Sequence, residues 1–280
     1  APLCNRKSQA MADPKPLVLD VDGTFLRTDM LFECFWAGMG KDPIAVLSSF
    51  ARNFRHPEVL KRELGEIAAI RVDLLPVNDA VMDLAKTARM EGREVVLASA
   101  SDTPLVQALA DYHDLSPRIF ASTPQVNLKG AAKAGALVEV YGEGGFDYAG
   151  NEPVDRAIWK HADGAVIVGD LPAEEKALTG QGKTVTVLDG GWRKRDLLRA
   201  LRPHQWVKNA LLFVPLIASH SFMLESLLMV LLGMAAFSAA ASTIYIVNDL
   251  IDLEADRLHA TKHRRPFASG AVPIQVGMLT

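Results

Sequence analysis

The chain has 280 residues, a net charge of −3, 49% hydrophobic residues and two cysteines, Cys4 and Cys34. That charge balance excludes a protein that binds nucleic acid by bulk electrostatics. Two lone cysteines exclude a disulfide framework or a zinc site and fit a reducing compartment.

Residues 1–14 are polar and mildly basic, lack the apolar core of a secretory signal, and are expected to be a disordered tail, with Met11 a candidate start. Residues 16–20 form an apolar run ending in Asp20, followed by Val21, Asp22 and Gly23. Similar runs recur at 95–99, 165–168 and 184–188, with helical periodicity between them at 77–91 and 103–112. Strand alternating with helix predicts an α/β Rossmann-like parallel sheet over 15–190, covered on both faces. The stretch 29–75 has little strand character and is predicted to be a helical cap inserted after the first strand.

Gly190 and Gly191 break this pattern. A basic linker or interfacial helix follows over 191–205, carrying Arg193, Lys194, Arg195, Arg199 and Arg202. Two apolar segments, 206–222 and 226–247, are predicted as the first transmembrane helices of an all-α bundle. The second runs twenty-two residues without a charge, long enough to cross a hydrocarbon core of about 30 Å. Basic residues precede Trp206 and recur at Lys262, His263, Arg264 and Arg265, while the loop between the spans has no Lys or Arg. A hairpin then puts both basic flanks, and the N-terminal domain, on the cytoplasmic side of a bacterial inner membrane in a multi-pass protein. The chain stops at Thr280, just after another apolar stretch, and is expected to be part of a longer protein.

Asp20 and Asp22 stand two residues apart at the end of the first strand, so they project to the same side, at the sheet edge where such folds bind ligands. One carboxylate can attack phosphorus while the other moves the leaving-group proton. Residues 15–190 resemble the haloacid dehalogenase superfamily, which implies Asp20 as nucleophile, Asp22 as acid/base and Ser99 as a hydrogen-bond donor to the phosphoryl group. The family's lysine is Lys133, with Lys129 as the alternative. Its last acidic motif is either Gly169-Asp170 with Glu174, or Asn151 with Asp155. The second choice fits the helix and strand that follow, and it puts an amide where the family has an acid. The resemblance implies Mg²⁺ at Asp20, Asp22, Asn151 and Asp155.

The long apolar segment ends in Asn248, Asp249, Asp252, Glu254 and Asp256. If the helix continues, at about 100° per residue Asp249, Asp252 and Asp256 fall within roughly 60° of arc. Three carboxylates in one stripe at a membrane surface repel one another, and a divalent cation with oxygen ligands relieves that repulsion. Lys262 and Arg265 nearby suit a phosphate.

This pattern resembles the first signature of the UbiA superfamily of membrane prenyltransferases. The opening 201–209 is most similar to the branch that transfers phosphoribose to polyprenyl phosphate in actinobacterial cell-wall biosynthesis. The resemblance implies Mg²⁺ at Asn248, Asp249, Asp252 and Asp256, and substrate contacts at Lys262 and Arg265. Lys208 and Asn209 are either substrate contacts or interfacial anchors. The family's second Asp-rich motif has no counterpart here, so residues 1–280 alone are expected to lack transferase activity. The implied partners are the lipid bilayer, polyprenyl phosphate or a prenyl diphosphate, and phosphoribosyl diphosphate. Two functions compete: a transferase fused to an active Mg-dependent phosphatase, or an aromatic prenyltransferase carrying a degenerate, regulatory hydrolase-like domain.

Overall fold

The computed structural model describes residues 14–220 and 223–280. Apart from Pro14, the expected N-terminal tail, with Cys4, lies outside the described residues, as does the end of the first apolar segment at 221–222.

Six strands, β1 (Leu17–Asp20), β2 (Val95–Asp102), β3 (Ile119–Ser122), β4 (Asp147–Gly150), β5 (Gly164–Val168) and β6 (Thr184–Leu188), form one sheet in the order β3-β2-β1-β4-β5-β6. Every pairing is parallel. The central strands are buried on both faces, which is why β1 and β2 read as unbroken apolar runs. Leu17, Leu19, Val95 and Leu97 join one core, whereas Val18, Val96 and Ala98 join the other.

Three helices, α1 (Met30–Lys41), α2 (Pro43–Asn53) and α3 (Pro57–Ala68), follow β1 and form the cap around Cys34, Val46, Leu60 and Leu64. The α1 helix starts where the Asp29 side chain accepts from the Leu31 and Phe32 N–H groups. Helices α4 (Asp79–Met90) and α5 (Thr103–Tyr112) cover the first core. Helices α6 (Ala131–Tyr141), α7 (Arg156–Trp159) and α8 (Pro172–Gly180) cover the second. The predicted doubly covered parallel sheet is therefore present, with two short strands, β3 and β4, that the apolar pattern did not announce.

Beyond the sheet, α9 (Lys194–Ala200) leads to a 3₁₀ helix at Pro203–Phe213 and the short α10 (Val214–Ala218). The first apolar segment is thus not one continuous span. Pro203 opens the 3₁₀ stretch and Pro215, with no N–H to give, sits in the first turn of α10. Helix α11 (Leu224–Ile251) is the one helix among the described residues long and apolar enough to cross a membrane. The 3₁₀ stretch packs on it through Trp206 Nε1, which donates to Ser242 Oγ at 3.0 Å, and Asn209 Nδ2, which donates to Ser238 Oγ at 2.8 Å. Two short helices, α12 (Leu253–Leu258) and α13 (Ile274–Met278), follow. Phe32 and Trp36 of α1 pack into the cluster of Ile246, Leu250, Phe267 and Ile274, so the cap helix is also part of the C-terminal core.

Candidate functional site

The strand order reverses at β1, whose neighbours are β2 and β4, and a crevice outside the C-terminal ends of such strands is where open α/β sheets take ligands. Asp20 ends β1, and a wide turn over Val21–Phe25 carries Asp22. Gly23 adopts φ +76° there, and a Cβ on it would stand 2.3 Å from Asn151 Nδ2, so the turn needs glycine to admit that side chain. Asn151 directly follows β4.

Asp20 is 8% exposed. Lys133, buried on α6, donates from Nζ to Asp20 Oδ1, to Ala98 O at 3.2 Å and to Tyr148 Oη at 3.3 Å. Lys129 is exposed, so the structure puts Lys133, and not Lys129, on the carboxylate. Tyr148 Oη donates in turn to Asp155 Oδ1 at 3.1 Å. Asp155 Oδ2 accepts the N–H groups of Asn151 and Glu152 at 3.1 and 3.0 Å. Thr24 Oγ1 lies 3.0 Å from Asn151 Oδ1 and 3.5 Å from Asp20 Oδ2.

Asp22 is held differently. Its Oδ2 accepts from Ser99 Oγ at 3.1 Å and Ser101 Oγ at 3.0 Å, and its Oδ1 from the Met30 N–H at 2.8 Å. Burial pushes the Asp20 carboxyl up to about 7, helped by the nearby Asp155 and Asp22 charges and opposed by Lys133. Burial works against the Lys133 ammonium, but Asp20 beside it holds its pKa above the usual value. Asp29, at the cap entrance, is also pushed up to about 7, by burial and by Asp22.

The other choice for the last motif is not assembled. Glu174 is bound by the Arg156 guanidinium, with Nε donating to Oε2 at 2.8 Å, and Asp170 is exposed. The sequence did not single out Tyr148 or Lys61 as site groups. Lys61, on α3, donates to Ala100 O at 2.5 Å, and burial lowers its pKa although Asp22 and Asp29 lie near it. Ser101 lies two residues beyond Ser99 on the same side of β2, and both hydroxyls reach Asp22.

A cavity of about 700 Å³ opens at Asp22, Gly23, Asp29 and Asn151. Its lining also includes Gly270, Pro273 and Gln275 from the C-terminal region. Gln275 Nε2 donates to Asp29 Oδ2 at 3.1 Å. The cleft is therefore walled by both parts of the chain.

Among the described residues, no group of three or more His, Cys, Asp or Glu side chains is arranged to hold a metal ion. Mg²⁺ commonly needs only one or two protein carboxylates beside water and phosphate oxygens. Asp20 and Asn151 Oδ1, which meet at the Thr24 hydroxyl, fit that reduced set. Asp22 and Asp155 are engaged in the hydrogen bonds given above.

The second acidic centre departs from the expected stripe. Helix α11 stops at Ile251, and Asp252 (φ −92°, ψ 14°) breaks the helical path before α12. Asp249 and Asp256 are buried, while Asp252 and Asn248 are exposed. Arg265 Nη1 joins Asp249 Oδ1 at 3.1 Å and Asp256 Oδ2 at 2.7 Å, and Arg202 Nη2 donates to Asp249 Oδ1 at 2.6 Å. Lys262 Nζ lies 3.9 Å from Asp256 Oδ1. In the structure guanidinium groups meet the buried acids of this cluster. Arg265, expected at a phosphate, bridges the two acids, and Asn209 bonds to α11. Lys208 is exposed.

No family model matches the chain. Protein y4nM of Sinorhizobium fredii is 35% identical over 267 residues, which is 94% of this chain and 52% of that protein. The decaprenyl-phosphate phosphoribosyltransferase of Corynebacterium glutamicum is 46% identical over 106 residues, covering 35% of this chain and 32% of the enzyme. The chain thus spans about half the length of the first relative and matches about a third of the second. Among solved structures, a phosphoserine phosphatase phospho-aspartyl intermediate analogue is 15% identical with a TM-score of 0.45, over 67% of this chain and 99% of that one. Over its C-terminal part the chain is similar to decaprenyl-phosphate phosphoribosyltransferases.

Proposed function

We propose that this chain, a haloacid dehalogenase-like domain joined to the start of a UbiA-type membrane domain, belongs to an enzyme that both transfers and dephosphorylates. The transferase moves a phosphoribosyl group from phosphoribosyl diphosphate to polyprenyl phosphate at the cytoplasmic face of a bacterial inner membrane, in a multi-pass protein. The fused domain is a phosphatase acting on a phosphorylated product of that transfer. The transfer reading is supported by likeness to the named phosphoribosyltransferase over the C-terminal part of the chain.

The observation that carries the phosphatase reading is the buried Asp20–Lys133 pair at the strand-order reversal. An Asp20 carboxylate oxygen attacks phosphorus, and the ester oxygen departs with a proton from Asp22. Water then attacks the acyl phosphate, gives its proton to Asp22, and inorganic phosphate leaves with Asp20 restored. Lys133 and the Ser99 hydroxyl hold charge and orientation around the phosphoryl group. To take part, Asp22 must exchange its bonds to Ser99 and Ser101 for the substrate. Mg²⁺, when bound at Asp20 and Asn151, supplies charge neutralisation to the phosphate.

A specific observation favours a second reading. Asn151 brings no charge, and Asp155 is fully used by Tyr148 and two backbone N–H groups. On that reading the domain is a degenerate regulatory module. Phosphate release from a generic phosphate ester with Mg²⁺ decides between them. Active wild type that Asp20→Asn abolishes supports catalysis. Inactive wild type that Asn151→Asp activates supports degeneracy.

A further inference from the structure

One face of α2 is apolar and bare. Ile44, Leu47, Phe50 and Phe54 are 80, 56, 48 and 57% exposed, whereas Val46 and Ser49 on the opposite face are buried against the rest of the cap. At about 100° per residue the four exposed side chains fall within roughly 120° of arc. Single exposed apolar residues are ordinary, but a continuous stripe of large ones marks a contact surface.

The position of this stripe identifies what it meets. The end of α1 lies against the end of the long apolar helix, because a Cβ on Gly40 would stand 3.3 Å from the Ile251 carbonyl oxygen. Pro43 then opens α2, so the stripe begins beside the point where α11 ends. Between residues 41 and 55 the chain carries Lys41, Arg52 and Arg55 against Asp42, and Arg52 also meets Glu63 of α3 at 3.3 Å. An apolar helical face with cationic flanks, starting at the end of a membrane span, matches an anionic lipid surface in both hydrophobicity and charge.

We propose that the cap rests on the bilayer through α2, with Ile44, Leu47, Phe50 and Phe54 entering the boundary between headgroups and acyl chains. This rests on α11 being a membrane span. It places the hydrolase cleft directly above the lipid surface, where a lipid-linked phosphate arrives without leaving the membrane.

The test uses the full chain in vesicles of phosphatidylcholine and phosphatidylglycerol. A polarity-sensitive dye is attached at Leu47→Cys, and in a separate sample at Lys86→Cys on the exposed side of α4. Both carry Cys4→Ser, and the buried Cys34 is left in place. Flotation after an alkaline wash first reports whether α11 spans; protein that stays behind overturns the span reading and the inference with it. In floating protein, the Leu47 dye is expected to shift to the blue, lose most of its quenching by iodide and gain quenching by doxyl-labelled lipid. The Lys86 dye is expected to stay open to iodide. Equal iodide access at the two positions in floating protein overturns the proposal while leaving the span intact. Protection that disappears when the protein is diluted into more vesicles identifies a second copy of the chain as the occupant, and overturns it too.

Discussion

At the end of β1 the buried Lys133 ammonium meets Asp20, while Asp22 and Asp155 are held by hydroxyl and backbone N–H donors, whereas at the end of α11 Asp249 and Asp256 are met by Arg202, Arg265 and Lys262. The first centre is short of positive charge, and burial there pushes Asp20 up to about 7. The second is held by planar guanidinium groups, which match carboxylates with several fixed donors. Clustered acids are therefore weak grounds for inferring a bound metal unless their neighbouring cations are counted as well. A cation can join the first centre without displacing one, but it has to compete with Arg265 for the second.

The largest effect is expected where Lys133 meets Asp20. Lys133→Ala is expected to lower stability by about 3–5 kcal/mol in denaturant unfolding, because it strands a buried carboxylate. Lys129→Ala should stay within about 0.5 kcal/mol. If the two variants behave alike, Lys133 is not the counter-charge.

A buried pair that joins the two parts of the chain comes next. Arg257 donates to Glu33 from Nη2 at 2.6 Å and Nη1 at 3.0 Å, with both side chains under 10% exposed. Arg257→Ala is expected to cost about 3 kcal/mol, and Glu33→Leu with Arg257→Met together to recover most of it, since paired apolar replacement leaves no charge behind.

A pH titration of metal-free protein sharpens the contrast further. The unfolded chain releases the Asp20 proton near the usual 3.8, while the folded chain keeps it up to about 7. Between those values the folded state binds more protons, so stability is highest below pH 3.8 as far as this group goes, and falls until about pH 7. Asp29 acts in the same direction. The slope should shrink in Asp20→Asn; an unchanged slope would assign the effect elsewhere. A small effect is expected at Asn209→Ala, about 0.6 kcal/mol for the lost bond between the 3₁₀ stretch and α11. A fall in substrate affinity at unchanged stability would instead return Asn209 to the substrate.

Sequence exposed the sheet-edge site well, because its parts are coded locally. Asp20 and Asp22 follow a buried run, Ser99 sits in the next long strand, and Lys133 lies near a helix start. Strands β3 and β4 lack the unbroken apolar run of the equally short β1: β3 is only partly buried, and β4 opens on Asp147 and closes on Gly150. Lys61 and Tyr148 gave no signal, since the contacts they make depend on how the cap and β4 fold over. At the membrane end, the expected acidic stripe assumed an unbroken helix, and Asp252 leaves it because the backbone turns there. Arg202 reaches Asp249 across 47 positions, a separation that no spacing rule covers.

The Glu33–Arg257 bond has a mechanical consequence. Arg257 is the residue next to Asp256, and Glu33 lies on the first cap helix, so one buried strut ties the cap over the Asp22 cleft to the acidic elbow at the end of α11. The cap cannot swing as an independent flap: lifting it means either snapping that strut or levering the elbow along with it, and a shift at either end is felt at the other.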